Sequence, residues 1–228
     1  MSVDPWAAIR LSIFVAGMAT LLATPPALAL AWVLARGRFR GKALLSTIVG
    51  APLVLPPVVT GLLLLQLFGR NGALGAWLAE HGLPVVFAWP GAVLAALVMG
   101  FPQLVLTMRS AFEAVDPRFE EVARTLGASP AGAWARVTLP LAAPGIGAGM
   151  VLGFARALGE FGATAVLAGN MEGETRTLAL AVYTLLQAPE STEELGTLVG
   201  ASLGIALGSL IVHERLLARQ RARKESPG

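Results

Sequence analysis

The stretch DPRFEEVARTLGASPAGAWARVTLP, residues 116–140, is polar, carries its own helix signals and stands between long apolar runs. Asp116 can cap a helix, Pro117 suits a first helical position, and Glu120 and Glu121 sit where the helix dipole favours acids. Phe119, Val122, Ala123 and Leu126 recur at i, i+3, i+4 and i+7, which makes one apolar stripe. Gly127 stops this helix. Ser129 and Pro130 start a second, Trp134 and Val137 share a face, and Pro140 ends it where the next apolar run begins. An amphipathic hairpin of this kind either rests on a membrane surface or docks on another protein.

Outward from the hairpin the chain reads as membrane spans. A helix rises about 1.5 Å per residue, so about 20 apolar residues cross about 30 Å of hydrocarbon. Residues 11–35, 43–69 and 82–108 are uncharged runs that precede the hairpin. Residues 137–155 follow it and continue past Arg156 and Glu160 into 161–168, and 195–212 form the last run. The expected fold is therefore an all-α integral membrane protein with five spanning helices. Residues 177–189 are apolar but short, as in a re-entrant or interfacial helix.

Composition supports the same class. Of 228 residues, 55% are hydrophobic and only 14% charged, with a mean hydropathy of +0.70. That leaves too little polar surface for a soluble globule and excludes an ordinary soluble enzyme. The absence of cysteine excludes disulfides, thiolate metal sites and cysteine nucleophiles. His81 and His213 stand far apart and make no histidine-rich metal site.

Lys and Arg are retained on the cytoplasmic side, so the loops set the orientation. The loop 36–42 carries Arg36, Arg38, Arg40 and Lys42 without an acid. With that loop inside, alternation also places the hairpin and the basic tail inside. Thirteen basic side chains then face the cytoplasm and three, Arg10, Arg70 and Arg176, face outward. The N-terminus is periplasmic and the C-terminus cytoplasmic. The segment 24–31 resembles a small-residue cleavage site, but its apolar run is far longer than a signal-peptide core and the leader is not basic. It reads as a true helix, kinked at Pro25 and Pro26. The basic tail reads as a retention signal in contact with anionic lipid, with no nucleic acid as partner.

Within the hairpin, Glu121, Ala123, Gly127, Val137, Leu139 and Pro140 resemble the loop signature of ABC importer permeases: E-A-A, three residues, G, nine residues, I, one residue, L-P. The spacing matches throughout, with Val122 and Val137 as conservative departures. The stretches LPPVVTG (55–61), LFGR (67–70), AFEAVDP (111–117), LGEFGAT (158–164) and GETRT (173–177) extend the resemblance, specifically to the molybdate ABC transporter permease subunit. Sulfate and thiosulfate permeases are similar through the loop and the GEFG region and usually differ across 169–180 and 183–187.

The resemblance implies a type I, MetI-like permease fold with residues 1–228 as one transmembrane domain, in the bacterial inner membrane. It implies that the loop at 109–140 couples to an ATPase subunit. The implied partners are a second copy of the chain, two cytoplasmic ATPase subunits, a periplasmic molybdate-binding protein and the lipid bilayer. The expected function is ATP-driven import of molybdate or tungstate, with sulfate or thiosulfate import as the alternative within the family. An ion-coupled secondary transporter is the alternative outside it, but no inverted repeat supports that. The chain itself carries no nucleotide site: residues 37–43, GRFRGKA, have three residues where a P-loop needs four and end in alanine. ATP and Mg are thus expected on the partner ATPase, with no cofactor or metal in this chain.

Arg156 and Glu160 are the only charges inside a run, four residues apart. Charges in hydrocarbon are costly, so they either pair to fix packing or line an aqueous cavity. A lone arginine would hold an oxyanion tightly, and Glu160 would moderate it into a site suited to transit. Pro56 and Pro57, followed by Thr60 and Gly61, break the second run's ladder, which is tolerated beside a cavity or neighbouring helices. Thr60, Gly61, Arg156, Glu160 and Thr164 are the pathway candidates. Gly145, Gly147, Gly149, Gly153, Gly159 and Gly162 read as sites of close helix approach. Trp32, Trp77 and Trp89 read as interface or packing aromatics. The outer loop holds Glu172, Glu174, Glu190, Glu193 and Glu194 against Arg176, a face that would repel a free dianion and leave capture to a carrier.

Overall fold

A computed structural model describes residues 3–187 and 192–225, without the side chains of 192 and 222–225. Pro189 and Glu190 lie outside the described residues, as do the side chains of Arg223 and Lys224. The described elements are helical. α1 (Pro5–Arg36) begins where the Asp4 carboxylate accepts from the Trp6 and Ala7 amides at 2.9 and 3.2 Å, and it runs unbroken through Pro25 and Pro26. After it come α2 (Lys42–Val54), α3 (Pro57–Phe68), α4 (Gly75–Glu80) and α5 (Trp89–Glu113). The hairpin supplies α6 (Arg118–Thr125) and α7 (Pro130–Ala133). α8 (Leu139–Leu158), α9 (Gly162–Leu167), α10 (Leu178–Leu186) and α11 (Thr192–Glu225) complete the chain.

Four helical segments are long and apolar enough to span: Pro5–Arg36, Trp89–Glu113, Pro130–Leu158 and Glu193–Arg221. α2 and α3 are apolar enough only as a pair, bent by 110° at Leu55 and Pro56, the shape of a broken span or a re-entrant loop. The break falls where Pro56 and Pro57 are expected to interrupt the ladder, because neither proline can donate a backbone hydrogen bond.

α5 forms the centre, with 61% of its apolar window buried against 6% for α11. On α1, Ala16, Ala19, Ala23, Ala27 and Ala31 recur every three or four residues and are buried. Small side chains in that register let helix backbones approach closely, which is how packing is gained in lipid. At one end Leu34, Leu104, Met108 and Phe112 fill the gap between α1, α5 and α8; at the other, Val15, Ala92, Ala96 and Ala157 do so. Glycine does the same between α5 and α8. A Cβ on Gly153 would stand 2.6 Å from Leu104 Cγ, and one on Gly149 3.3 Å from Met108 Cγ. Gly147 and Gly159 face only ordinary contact distances, so close packing does not account for them.

The fold differs from the sequence expectation at two places. The run 137–168 is not one helix, since α8 stops at Leu158 and α9 begins at Gly162. Pro140 does not end the hairpin's second helix. α7 continues through a π turn, Trp134–Thr138, into α8, and the Leu139 amide bonds five residues back to the Trp134 carbonyl. The widened turn comes just before a residue that has no N–H and whose ring would crowd the preceding turn. Short as expected, α10 buries one face while Tyr183 and Leu186 stay exposed. Leu178, Ala181 and Leu185 pack with Ala8 and Ile9 of α1 and Leu198 of α11, and Ser12 Oγ takes the first amide of α10, Leu178 N, at 2.6 Å.

Candidate functional site

The hairpin is closed by its own caps. Asp116 Oδ1 accepts from the Arg118 amide at 2.9 Å and opens α6. At the other end Gly127 adopts φ +88°, with Gly127 N donating to Arg124 O and Ala128 N to Ala123 O, both at 3.0 Å. These paired bonds with a left-handed residue form a Schellman cap, which explains why glycine is needed at 127. Ser129 Oγ then accepts from Gly132 N at 3.1 Å and starts α7.

No residue of α6 is buried, and only its inner edge, at Glu120 and Ala123, is half-covered by the described chain. The apolar stripe expected from the sequence is present, yet Phe119, Val122 and Leu126 are exposed, Leu126 at 83%. Glu121, Gly127 and Pro140 are exposed as well, while Ala123, Val137 and Leu139 are half-buried at the hairpin's base. The hairpin is nevertheless anchored below. Thr138, fully buried in the π turn, donates its hydroxyl to Glu120 Oε1 and ties α6 to the foot of α8. Arg36, the last residue of α1, donates from Nη2 to Val115 O at 2.7 Å. Sequence reading places Glu120 only by its dipole and Arg36 only by its charge, because neither contact leaves a local pattern.

The pathway candidates meet on a seam between the broken elements. Arg156 lies in the last turn of α8, and its Nη1 stands 2.8 Å from Glu160 Oε2 in the break that follows. Glu160 Oε1 accepts from Ala163 N at 2.9 Å, so one carboxylate pairs with the last turn of α8 and caps the start of α9. Both charges also suit the helix termini they face. The pair is unevenly buried: side-chain exposure is 2% for Glu160 and 32% for Arg156. α3 leans on the same place. A Cβ at Gly61 would come within 2.8 Å of Ala163 Cα, and one at Gly162 within 2.8 Å of Pro57 Cβ. Thr60 and Thr164, in the flanking turns of α3 and α9, are buried, and Thr60 Oγ1 has no hydrogen-bond partner among the described residues. The structure thus joins Gly61, Glu160 and Arg156 through Ala163, a residue that the sequence does not single out. Because the contact at Gly61 is with backbone, Gly61→Ala is expected to cost about 1–3 kcal/mol by overpacking. A lowered thermal midpoint in detergent would show it, and an unchanged midpoint would mean that α3 can stand off α9.

On the outer side, Arg176 is not a free cation of the loop. It is 5% exposed, with Nε donating to Asn170 Oδ1 at 3.0 Å and Nη1 3.2 Å from Glu172 Oε2. The loop's arginine is therefore already engaged by Glu172 and Asn170.

Comparison with known proteins supplies the context. The profile of the family described as "Binding-protein-dependent transport system inner membrane component" matches residues 27–214. The chain is 47% identical to the molybdenum transport system permease protein ModB of Escherichia coli K12 over 223 residues, 96% of this chain and 97% of that one. It is 37% identical to the sulfate transport system permease protein CysT of the same organism, over 79% of this chain and 65% of that one. Among solved structures it resembles an inward-facing MetNI methionine ABC transporter, with a TM-score of 0.67, 18% identity, and coverage of 95% of this chain and 94% of that one.

Proposed function

This chain belongs to the family of binding-protein-dependent transport system inner membrane components, as a multi-pass, all-helical permease subunit, and from that premise we propose that it forms the translocation pathway of an ATP-driven importer of molybdate or tungstate. The observation that carries the substrate is the 47% identity to a molybdenum permease over nearly the full length of both chains. The sulfate relative is less similar and matches less of either chain.

In this reading residues 1–228 act as one transmembrane domain, two copies of which surround the pathway. A separate ATPase subunit binds ATP and Mg and docks on the uncovered face of α6, with Glu121, Ala123, Gly127, Val137, Leu139 and Pro140 shaping the hairpin. Phe119, Val122 and Leu126 offer apolar surface that a partner groove can bury. Movement of α6 passes through Glu120 and Thr138 into α8, whose far end carries Arg156 and the break at Glu160. Shifting α8 would open or close the seam with α3 at Thr60, Gly61 and Thr164. Arg156, about one-third exposed and moderated by Glu160, gives an oxyanion a weak site, as transit requires. The acidic outer loop repels free dianions and leaves capture to a periplasmic binding protein.

Uptake of radiolabelled molybdate in cells lacking the gene, with and without complementation, tests the substrate. The expected result is gene-dependent uptake at trace molybdate that survives excess sulfate. Uptake abolished by sulfate would move the substrate to sulfate or thiosulfate.

A further inference from the structure

We propose that the cytoplasmic end of α11 is a strut that sets the position of the coupling hairpin, with Gln220 as its positioning residue; this rests on the reading of α6 as the ATPase-docking element. The last carbonyls of a helix, here those of α5, lack intrahelical donors and must find others. The Val115 amide, which a continued helix would direct to Ala111 O, bonds instead to Phe112 O at 3.2 Å. Ala111 O is taken by Gln220 Nε2 at 3.1 Å, across 109 residues of sequence.

Room for this bond is made by Gly145 of α8. A Cβ there would fall 2.1 Å from Gln220 Oε1 and 2.6 Å from Ala111 Cβ, so the glycine leaves a notch through which the amide reaches α5. The same face of α11 is seated on α8 further back. His213 Nδ1 lies 3.0 Å from Ala148 O, and Leu216 Cδ1 would be 3.5 Å from a Cβ on Gly147. Positions 213, 216 and 220 follow i, i+3, i+7, one stripe of the helix. The neighbour of Gly147 is thus α11, not α5.

The root of the hairpin is therefore held from two distant helices. Arg36 of α1 grips Val115 O and Gln220 of α11 grips Ala111 O, on the length of chain that leads into α6. A root held in this way delivers displacement of α6 to α5 and α8. A loose root lets the hairpin move by itself, so that ATP is hydrolysed without transport.

The test uses the permease, ATPase subunit and binding protein reconstituted together, with two readouts. Gln220→Glu keeps the shape but removes the donor, and is expected to raise ATP hydrolysed per molybdate imported about fivefold. Hydrogen exchange over residues 111–126 should speed up about fivefold in the same variant, as for loss of one hydrogen bond. Gln220→Lys, which retains a donor, should stay near wild type in both. If Gln220→Glu does not assemble, Gly145→Ala, whose methyl evicts the amide, should give the same two changes. Wild-type coupling and exchange in either variant overturn the strut. A wild-type complex that imports no molybdate would count against the substrate, while the exchange readout would still decide on the strut.

Discussion

The double substitution Val122→Asp, Leu126→Asp is expected to abolish co-purification of the ATPase subunit while leaving the permease folded. Both side chains are exposed, at 57% and 83%, and α6 has no buried residue, so the substitutions remove nothing from the chain's own core. Against a partner the balance changes. Fully burying a side chain of this size contributes about 1.5–3 kcal/mol, so the pair contributes about 3–6 kcal/mol to docking. At about 1.4 kcal/mol per tenfold, losing it weakens binding by about two to four orders of magnitude, before the cost of desolvating two carboxylates. Pull-down from detergent, with size-exclusion behaviour as the check on folding, reads both terms. A folded double variant that still retains the ATPase would show that the docking surface lies elsewhere.

Arg156→Gln should lower transport by about tenfold or more in a complex that still holds its ATPase. The substitution leaves the Glu160 carboxylate, 2% exposed, without its cation. Removing one partner of a buried pair costs about 3–5 kcal/mol, and the lower end applies because the guanidinium is about one-third exposed. Loss of structure and loss of an anion contact would both slow transport, so the double variant Arg156→Gln, Glu160→Gln separates them. There the buried charge is gone, and the neutral amide oxygen introduced at position 160 can still accept from Ala163 N. The thermal midpoint of the double variant should recover toward wild type while transport stays low. Recovery of transport together with stability would reduce the pair to a packing device, and normal transport in Arg156→Gln would remove Arg156 from the pathway.

Legibility in the sequence follows the range of the interaction. The caps of α6 are readable because Asp116 and Gly127 act on amides and carbonyls within a few residues, and the spans are readable because hydropathy accumulates along a helix. The break at Pro56 is visible for the same local reason. The break after Leu158 is not. The apolar run resumes at Phe161 after Arg156 and Glu160, and their spacing does not signal that the carboxylate of Glu160 will take the Ala163 amide and begin a new helix. The π turn before Pro140 escapes the sequence because proline marks helix ends more often than it marks a widened turn within a continuing one. Arg176 looks like a lone outward charge because its partners Asn170 and Glu172 form a site only once the loop folds back on itself. In the candidate site, spacing gives the hairpin's shape. The ties that anchor it, Glu120 to Thr138 and Arg36 to Val115, join segments whose proximity only the fold creates.

In the proposed function this chain passes molybdate when a separate subunit hydrolyses ATP. The most direct test is molybdate accumulation in proteoliposomes that carry the permease and ATPase subunits, with ATP on the ATPase side and the loaded binding protein on the other. Accumulation should require all three proteins and ATP, and excess sulfate should not block it. Accumulation driven by an ion gradient without the ATPase subunit would contradict the proposal.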